Sequence, residues 1–171
     1  MSFGRARQQA QRLIQQQGIA KPPVDVDAVA KRLGLAIVRT PLGGDISGLL
    51  ITKGGTTTIC VEASHHEHRQ RFTVAHEIGH HVLGHHFAGE HVHVDRVSMR
   101  NGKSSEGSDV REIEANQFAA CLLMPEQLVH EKMRVLASRD LENVVKQLAR
   151  AFKVSEQALA FRLGVLGYEA T

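Results

Sequence analysis

The side chains of this sequence that could do chemistry are concentrated in residues 71–80, which read RFTVAHEIGH. His76 and His80 are four residues apart, so on a helix they project about 40° from one another and can bind one ion. Neutral imidazole is a ligand that suits zinc. Glu77 lies about 100° around the helix from His76, so it is poorly aimed for a ligand but can reach a water molecule at the metal. The pattern predicts a zinc peptidase centre with Glu77 as the base.

A chance match is the alternative, because the pattern is short and ten of the 11 histidines lie between His65 and His93. The helical context favours a metal site: the same helix carries an apolar stripe, and Gly79 leaves room for an ion or a substrate to approach the backbone. The remaining histidines of this region fall elsewhere on the helix or beside it. We expect them to be solvated surface residues: His65, His66, His68, His81, His85 and His86.

A catalytic zinc takes three protein ligands and keeps one open position, so a third ligand is expected from another helix. The best source is residues 112–119, which read EIEANQFA. Glu112 and Asn116 share a face of that helix, so one can bind the metal while the other orients a ligand histidine. Glu114 is expected to point to the far side. Two alternatives stay open: Glu114 as the ligand, and Glu112 as the capping-box partner of Asp109.

The elements that must position these residues follow from periodicity and from turn signals. Three short strands are predicted, over 35–39, 47–52 and 56–61, and Lys53-Gly54-Gly55 forms a tight hairpin. A Gly- and Ser-rich stretch, 101–108, is predicted to be a mobile loop. The predicted helices cover 5–17, a short segment from Asp25 to Gly34, 65–85, 109–123, 125–136, 141–152 and 156–163.

Length and composition are those of a globular protein with one domain, or with a small domain and an appendage: 171 residues, 42% apolar and 23% charged. No apolar run approaches the roughly 20 residues that span a bilayer. The basic, Gln-rich N-terminus lacks the features of a secretory signal. We therefore expect a cytoplasmic protein, with no membrane partner, in which Cys60 and Cys121 remain thiols.

The two motifs together, RFTVAHEIGHHVLGH and EIEANQFAACLLMP, resemble the ImmA/IrrE family of bacterial metallo-endopeptidases. The similarity extends upstream to PPVDVDAVAKRLGL and downstream to VSEQALAFRLGVLG, about residues 20–167 in all. The resemblance implies an α+β fold, with a mostly helical zincin-like core and a small three-stranded sheet on the active-site helix. We assign residues 1–137 to this metallopeptidase domain. Residues 138–171 are then a helix-turn-helix-like segment packed on it.

The same resemblance implies a function. His76, His80 and Glu112 would bind one Zn²⁺ per chain, and Glu77 would carry catalysis. The implied substrate is a protein, a helix-turn-helix repressor, whose cleavage derepresses mobile-element or stress-response genes. The group that stabilises the oxyanion is not identified, and His91 and His93 are the candidates for it.

Two rival functions are a DNA-binding regulator and a non-proteolytic antirepressor, each with a structural metal site. The last two predicted helices do have helix-turn-helix spacing. However, the second begins with an acid and offers only one arginine, Arg162, so it has little to give phosphates or guanines. We expect no direct contact with nucleic acid. A protein partner would instead meet Leu159, Phe161 and Leu163, unless these side chains are core.

Overall fold

The computed structural model describes residues 3–85, 91–96, 106–136 and 141–168. The α+β fold class is confirmed. Of the predicted loop 101–108, residues 101–105 lie outside the described part, and the rest belongs to a helix that begins at Glu106. The elements are α1 (Phe3–Gln16), α2 (Val26–Arg32), β1 (Leu35–Thr40), β2 (Ile46–Lys53), β3 (Thr56–Glu62), α3 (Glu67–Val82), β4 (His91–Arg96), α4 (Glu106–Leu123), α5 (Glu126–Leu136), α6 (Leu141–Phe152) and α7 (Glu156–Val165).

The sheet has the strand order β1-β3-β2-β4. β1 pairs with β3 in parallel, and β2 pairs with both β3 and β4 in antiparallel fashion. The prediction of a three-stranded sheet is therefore wrong, because the sheet has a fourth strand, the edge strand β4. Its sequence, HVHVDR, alternates as a strand should, but with the usual polarity reversed: Val92 is 56% exposed whereas Asp95 is fully buried. A sequence pattern predicts a half-buried strand when the apolar side chains face inward. Here the polar side chains face inward, so the pattern did not predict this strand.

Helix α3, which carries His76, Glu77 and His80, lies between the sheet and α4, in contact with β2 and β3 on one side and with α4 on the other. All its residues from Thr73 to His80 are buried. Gly79 is needed here for a different reason from the predicted one. A Cβ at this position would lie 3.1 Å from Phe118 Cδ1 and 3.2 Å from the Ala115 carbonyl oxygen. Gly79 therefore gives room to α4, and not to an ion or a substrate.

Glu62, at the end of β3, holds the turn that leads into β2. Its carboxylate accepts hydrogen bonds from the backbone N–H groups of Ser64 (2.9 Å), Leu42 (2.6 Å) and Gly43 (3.3 Å). These hydrogen bonds, that of Ser64 foremost, lower the pKa of Glu62 to about 2. The residue is thus a structural acceptor that fixes how the chain enters the sheet.

The C-terminal helices α6 and α7 contribute to the same buried apolar cluster as the other helices. The Ser155 hydroxyl caps α7 by accepting the N–H of Ala158 at 3.1 Å. Leu159 and Leu163 are core residues, at 0% and 2% exposure, so for these two the alternative of a core role holds. Phe161 is 75% exposed.

Cys60 and Cys121 are both free thiols. Among the described helices, none combines the length and the apolar character that a bilayer span requires.

The contact between α3 and α4 can be tested by Gly79→Ala. The added methyl group would meet Phe118 and the backbone of Ala115, so we expect a loss of about 1–3 kcal/mol in the free energy of unfolding. The matched control is Gly164→Ala, in α7, where an added Cβ has no neighbour within 4 Å. It should be neutral or stabilise by up to about 1 kcal/mol through helix propensity. Equal effects of both variants in urea denaturation would contradict this account of Gly79.

Candidate metal centre

The structure brings His76 and His80 of α3 together with Glu112 of α4. The Nε2 atoms of the two histidines are 3.0 Å apart. Glu112 Oε2 lies 3.2 Å from His76 Nε2, and its Oε1 lies 3.3 Å from His80 Nε2. All three side chains are buried, at 7% exposure or less. Three donors from two helices thus converge on one point.

These separations fit a tetrahedral metal site. Donors bound at 2.0–2.1 Å to zinc form a tetrahedron with edges of about 3.3 Å. The three observed separations of 3.0–3.3 Å match that edge, so an ion can enter with only small shifts of the side chains. The chemistry also suits zinc, which takes imidazole nitrogen and carboxylate oxygen.

The protonation states are those that a divalent cation requires. Burial lowers the pKa of His80 to about 3, so this imidazole is neutral at neutral pH. Burial by itself would raise the pKa of Glu112, but its close contacts with His76 and His80 outweigh it, and the pKa is lowered. Glu112 is therefore an anion beside the neutral imidazole of His80.

Asn116 orients His76, as the sequence indicated for one of the pair Glu112 and Asn116. The Asn116 Oδ1 atom lies 3.0 Å from His76 Nδ1 and accepts its proton. This hydrogen bond leaves the lone pair of Nε2 directed at the site. The capping-box alternative for Glu112 involved Asp109, whose side chain is outside the described residues.

His80 is oriented by a second chain of contacts that the sequence did not predict. His80 Nδ1 lies 3.1 Å from His85 Nδ1, and His85 Nε2 lies 2.9 Å from Glu114 Oε2. With Glu114 ionised, His85 donates to it from Nε2 and accepts the Nδ1 proton of His80. The lone pair of His80 Nε2 is then free to bind an ion.

The prediction that His85 is a solvated surface residue was wrong. Glu114 lies outside the group of donors around Glu112 and contacts His85 instead. Both side chains are buried, at 8% and 6% exposure. The helix ends at Val82, and Gly84 (φ 68°) reverses the backbone, so the N–H of His85 bonds to the carbonyl of His80. Helical periodicity could not place a residue that lies beyond this turn.

Glu77 is fully buried next to these donors but is not one of them. It lies on the side of α3 that meets β2, where a Cβ on Gly48 would be 3.2 Å from Glu77 Oε1. Its carboxylate is instead grouped with His76 and with Asp95 of β4, with one donor atom of each within 4.8 Å of the others. Glu77 therefore lies beside the donors without belonging to their group. The sequence analysis gave no role to Asp95.

His93 of β4 is a further donor that the sequence analysis did not place at the metal. Its Nε2 atom lies 3.4 Å from Glu112 Oε1, and its ring centroid is 4.0 Å from that of His80. One donor atom each from His76, His80, His93 and Glu112 lies within 4.8 Å of the other three. The side chain of His91, the other oxyanion candidate, is outside the described residues. The alternation in HVHVDR was the signal that could have located His93.

Comparison with known proteins gives a family and a fold. The model of the peptidase M78 family, described as the IrrE N-terminal-like domain, matches residues 30–164. No curated protein sequence matches significantly. Among solved structures, a Mycobacterium tuberculosis transcriptional regulator superposes with a TM-score of 0.63 at 18% identity, over 94% of this chain and 46% of that one. The chain therefore spans less than half of that regulator, and at this identity the likeness concerns the fold alone.

The different positions of the two glutamates give a test of the donor set. Glu112→Gln removes the carboxylate from the donors, so we expect purified protein to hold well below one zinc ion per chain. Glu114→Gln leaves the donors in place but weakens the orientation of His80. It should keep one ion per chain with an affinity lowered by about 10–100-fold. Metal analysis and competition with a chelating dye measure both effects, and the reverse pattern would make Glu114 the ligand.

Proposed function

Since the chain belongs to the peptidase M78 family of IrrE N-terminal-like domains, we propose that it is a zinc-dependent endopeptidase. In this proposal His76, His80 and Glu112 hold one Zn²⁺ per chain. The observation that carries it is the convergence of these three donors at the edge lengths of a zinc tetrahedron. Two histidines and one glutamate are also a donor set of catalytic zinc in metallopeptidases.

Glu77 is the proposed general base. Bound zinc would polarise the scissile carbonyl and make water more acidic. The Glu77 carboxylate takes a proton from the attacking water while the water oxygen bonds to the carbonyl carbon. It then passes that proton to the amide nitrogen as the C–N bond breaks, so the products are an acid and an amine. Burial on the sheet side of α3 holds Glu77 beside the donors without competing for the ion.

The proposed substrate is a helix-turn-helix repressor in the cytoplasm, as the family resemblance implies. The described part of α7 supports a protein partner over DNA. Arg162, its one arginine, is 5% exposed and donates from Nε to the Met124 carbonyl at 3.2 Å, so it is not available to a phosphate. Phe161 and Val165, four residues apart, are 75% and 60% exposed. In this proposal the segment 138–171 presents them to the repressor.

A second function, a regulator with a structural metal site, is favoured by one observation. His93 brings the number of nearby protein donors to four, and four protein ligands are typical of structural zinc. A structural site, however, gives no reason to bury a carboxylate at Glu77 beside the donors. The catalytic role of Glu77 is therefore the property that separates the two functions.

Glu77→Gln should abolish cleavage while the metal and the fold are kept. Loss of a general base lowers the rate by roughly 10²–10⁴. The measurement is mass spectrometry of fragments of the repressor encoded beside the gene, with metal analysis and circular dichroism of the variant. Glu67→Gln, an exposed change on the same helix, is the matched control and should cleave normally. Cleavage by Glu77→Gln at the wild-type rate would refute the peptidase.

The double variant Phe161→Gln/Val165→Gln tests the docking surface. We expect kcat/KM for the intact repressor to fall by about tenfold or more, since loss of a buried aromatic anchor commonly removes about 2 kcal/mol of binding energy. Cleavage of a short peptide that spans the scissile bond should not change. Val135→Gln on α5, where the side chain is 79% exposed, is the control. Equal losses on peptide and repressor would contradict a docking role.

A further inference from the structure

The edge strand β4 delivers two polar side chains to the metal centre. His93 pairs in register with Leu50 of β2, and Asp95 pairs with Gly48. Both side chains leave the strand on the face toward α3, where His93 meets Glu112 and Asp95 meets Glu77. The opposite face carries Val92, which is 56% exposed. The reversed polarity of this strand, with valine exposed, aspartate buried and histidine partly buried, is explained by what its inner face contacts.

The buried end of His93 is directed at the donors. Its Nε2 atom is inaccessible to solvent and makes no hydrogen bond within the described part of the chain. A core histidine would normally satisfy that atom with a hydrogen bond. Here the atom lies 3.4 Å from Glu112 Oε1, close to the edge of about 3.3 Å expected between two ligands of one zinc ion.

The catalytic groups are closed to a substrate in this arrangement. His76 and Glu77 are both at 0% exposure, and His80 is at 2%. A scissile carbonyl must reach the metal, and its water must reach Glu77. Since β4 supplies neighbours of both the donors and Glu77, it contributes to this closure.

We propose that His93 is a fourth protein ligand of the metal in the resting protein and that β4 is a strap whose release opens the fourth position. The regulatory role of β4 rests on the proposed peptidase function, whereas metal binding by His93 does not. Three imidazoles and one carboxylate close the coordination, which removes the open position that a catalytic zinc needs. Displacement of β4 from the edge of β2 withdraws His93 and Asp95 together. The enzyme is thereby latent until a partner or a substrate moves the strap.

The ligand is tested by X-ray absorption at the zinc edge, which counts imidazoles without any substrate. The wild-type protein should show three imidazoles and His93→Gln two. The zinc affinity of His93→Gln should be lower by at least about 10–100-fold, because loss of a residue that only orients a ligand already has an effect of this size. Val92→Thr, on the outer face of the same strand, is the matched control and should show three. Two imidazoles in the wild-type protein would overturn the proposal, even if the protein cleaves its repressor.

Cleavage by His93→Gln tests the latency. Removal of the fourth ligand should accelerate repressor cleavage relative to the wild-type protein and Val92→Thr. An unchanged or slower rate would overturn the latent role. A rate lower by roughly 10²–10³, with two imidazoles in both proteins, would assign His93 to the oxyanion instead. If neither protein cleaves but the imidazole counts are three and two, the proposed function fails and the ligand stands.

A disulfide between β2 and β4 tests the movement of the strap. Ile51 and Val92 are cross-strand partners on the face away from the metal, and such partners have Cα separations that a disulfide can span. We would make Ile51→Cys/Val92→Cys in a Cys60→Ala chain, which removes the thiol on the neighbouring strand. The oxidised protein should not cleave the repressor, and reduction by a phosphine should restore the rate of the Cys60→Ala control. Equal rates before and after reduction would overturn the strap.

Discussion

The distance between α3 and α4 is the constraint on which the rest of the structure depends. One ion can be shared by His76, His80 and Glu112 only if the two helices approach until their donors are about 3.3 Å apart. Gly79 permits this, because its missing side chain leaves space for Phe118 and for the backbone of Ala115. A larger residue would separate the helices and with them the donors. At this contact, the close packing of the two helices and the spacing of the metal ligands therefore depend on the same distance.

The imidazoles of His76 and His80 are oriented by two different sets of contacts. His76 is fixed by a neighbour on α4, Asn116, one turn from Glu112. His80 depends on the longer connection through His85 to Glu114. That connection reaches α1: Arg5 donates to the carbonyl of Leu83, beside the turn that places His85, and lies 4.0 Å from Glu114. Helix α1 lies outside residues 30–164, which match the family model, and it thus supports the geometry of His80 within that range.

Sequence periodicity was sufficient wherever the relevant residues share one regular element. It brought His76 and His80 to one face, kept Glu77 off it, and paired Glu112 with Asn116. It failed at His85, because the helix ends before that residue and the positive φ of Gly84 changes the direction of the chain. It failed again at β4, whose partner β2 lies some 40 residues earlier, and whose polar face is buried. The contacts that place both residues at the site are long-range, and at β4 the local alternation was present but with reversed polarity.

The charge of the site gives a physical reason why these contacts belong together. Glu77, Asp95 and Glu112 are all at 7% exposure or less and lie close to one another through His76. Burial of each carboxylate as an anion costs several kcal/mol even after relaxation of the protein, and their mutual repulsion adds to that cost. A divalent cation among the donors would supply the opposite charge, so metal binding and the closed packing of β4 on the site would stabilise each other.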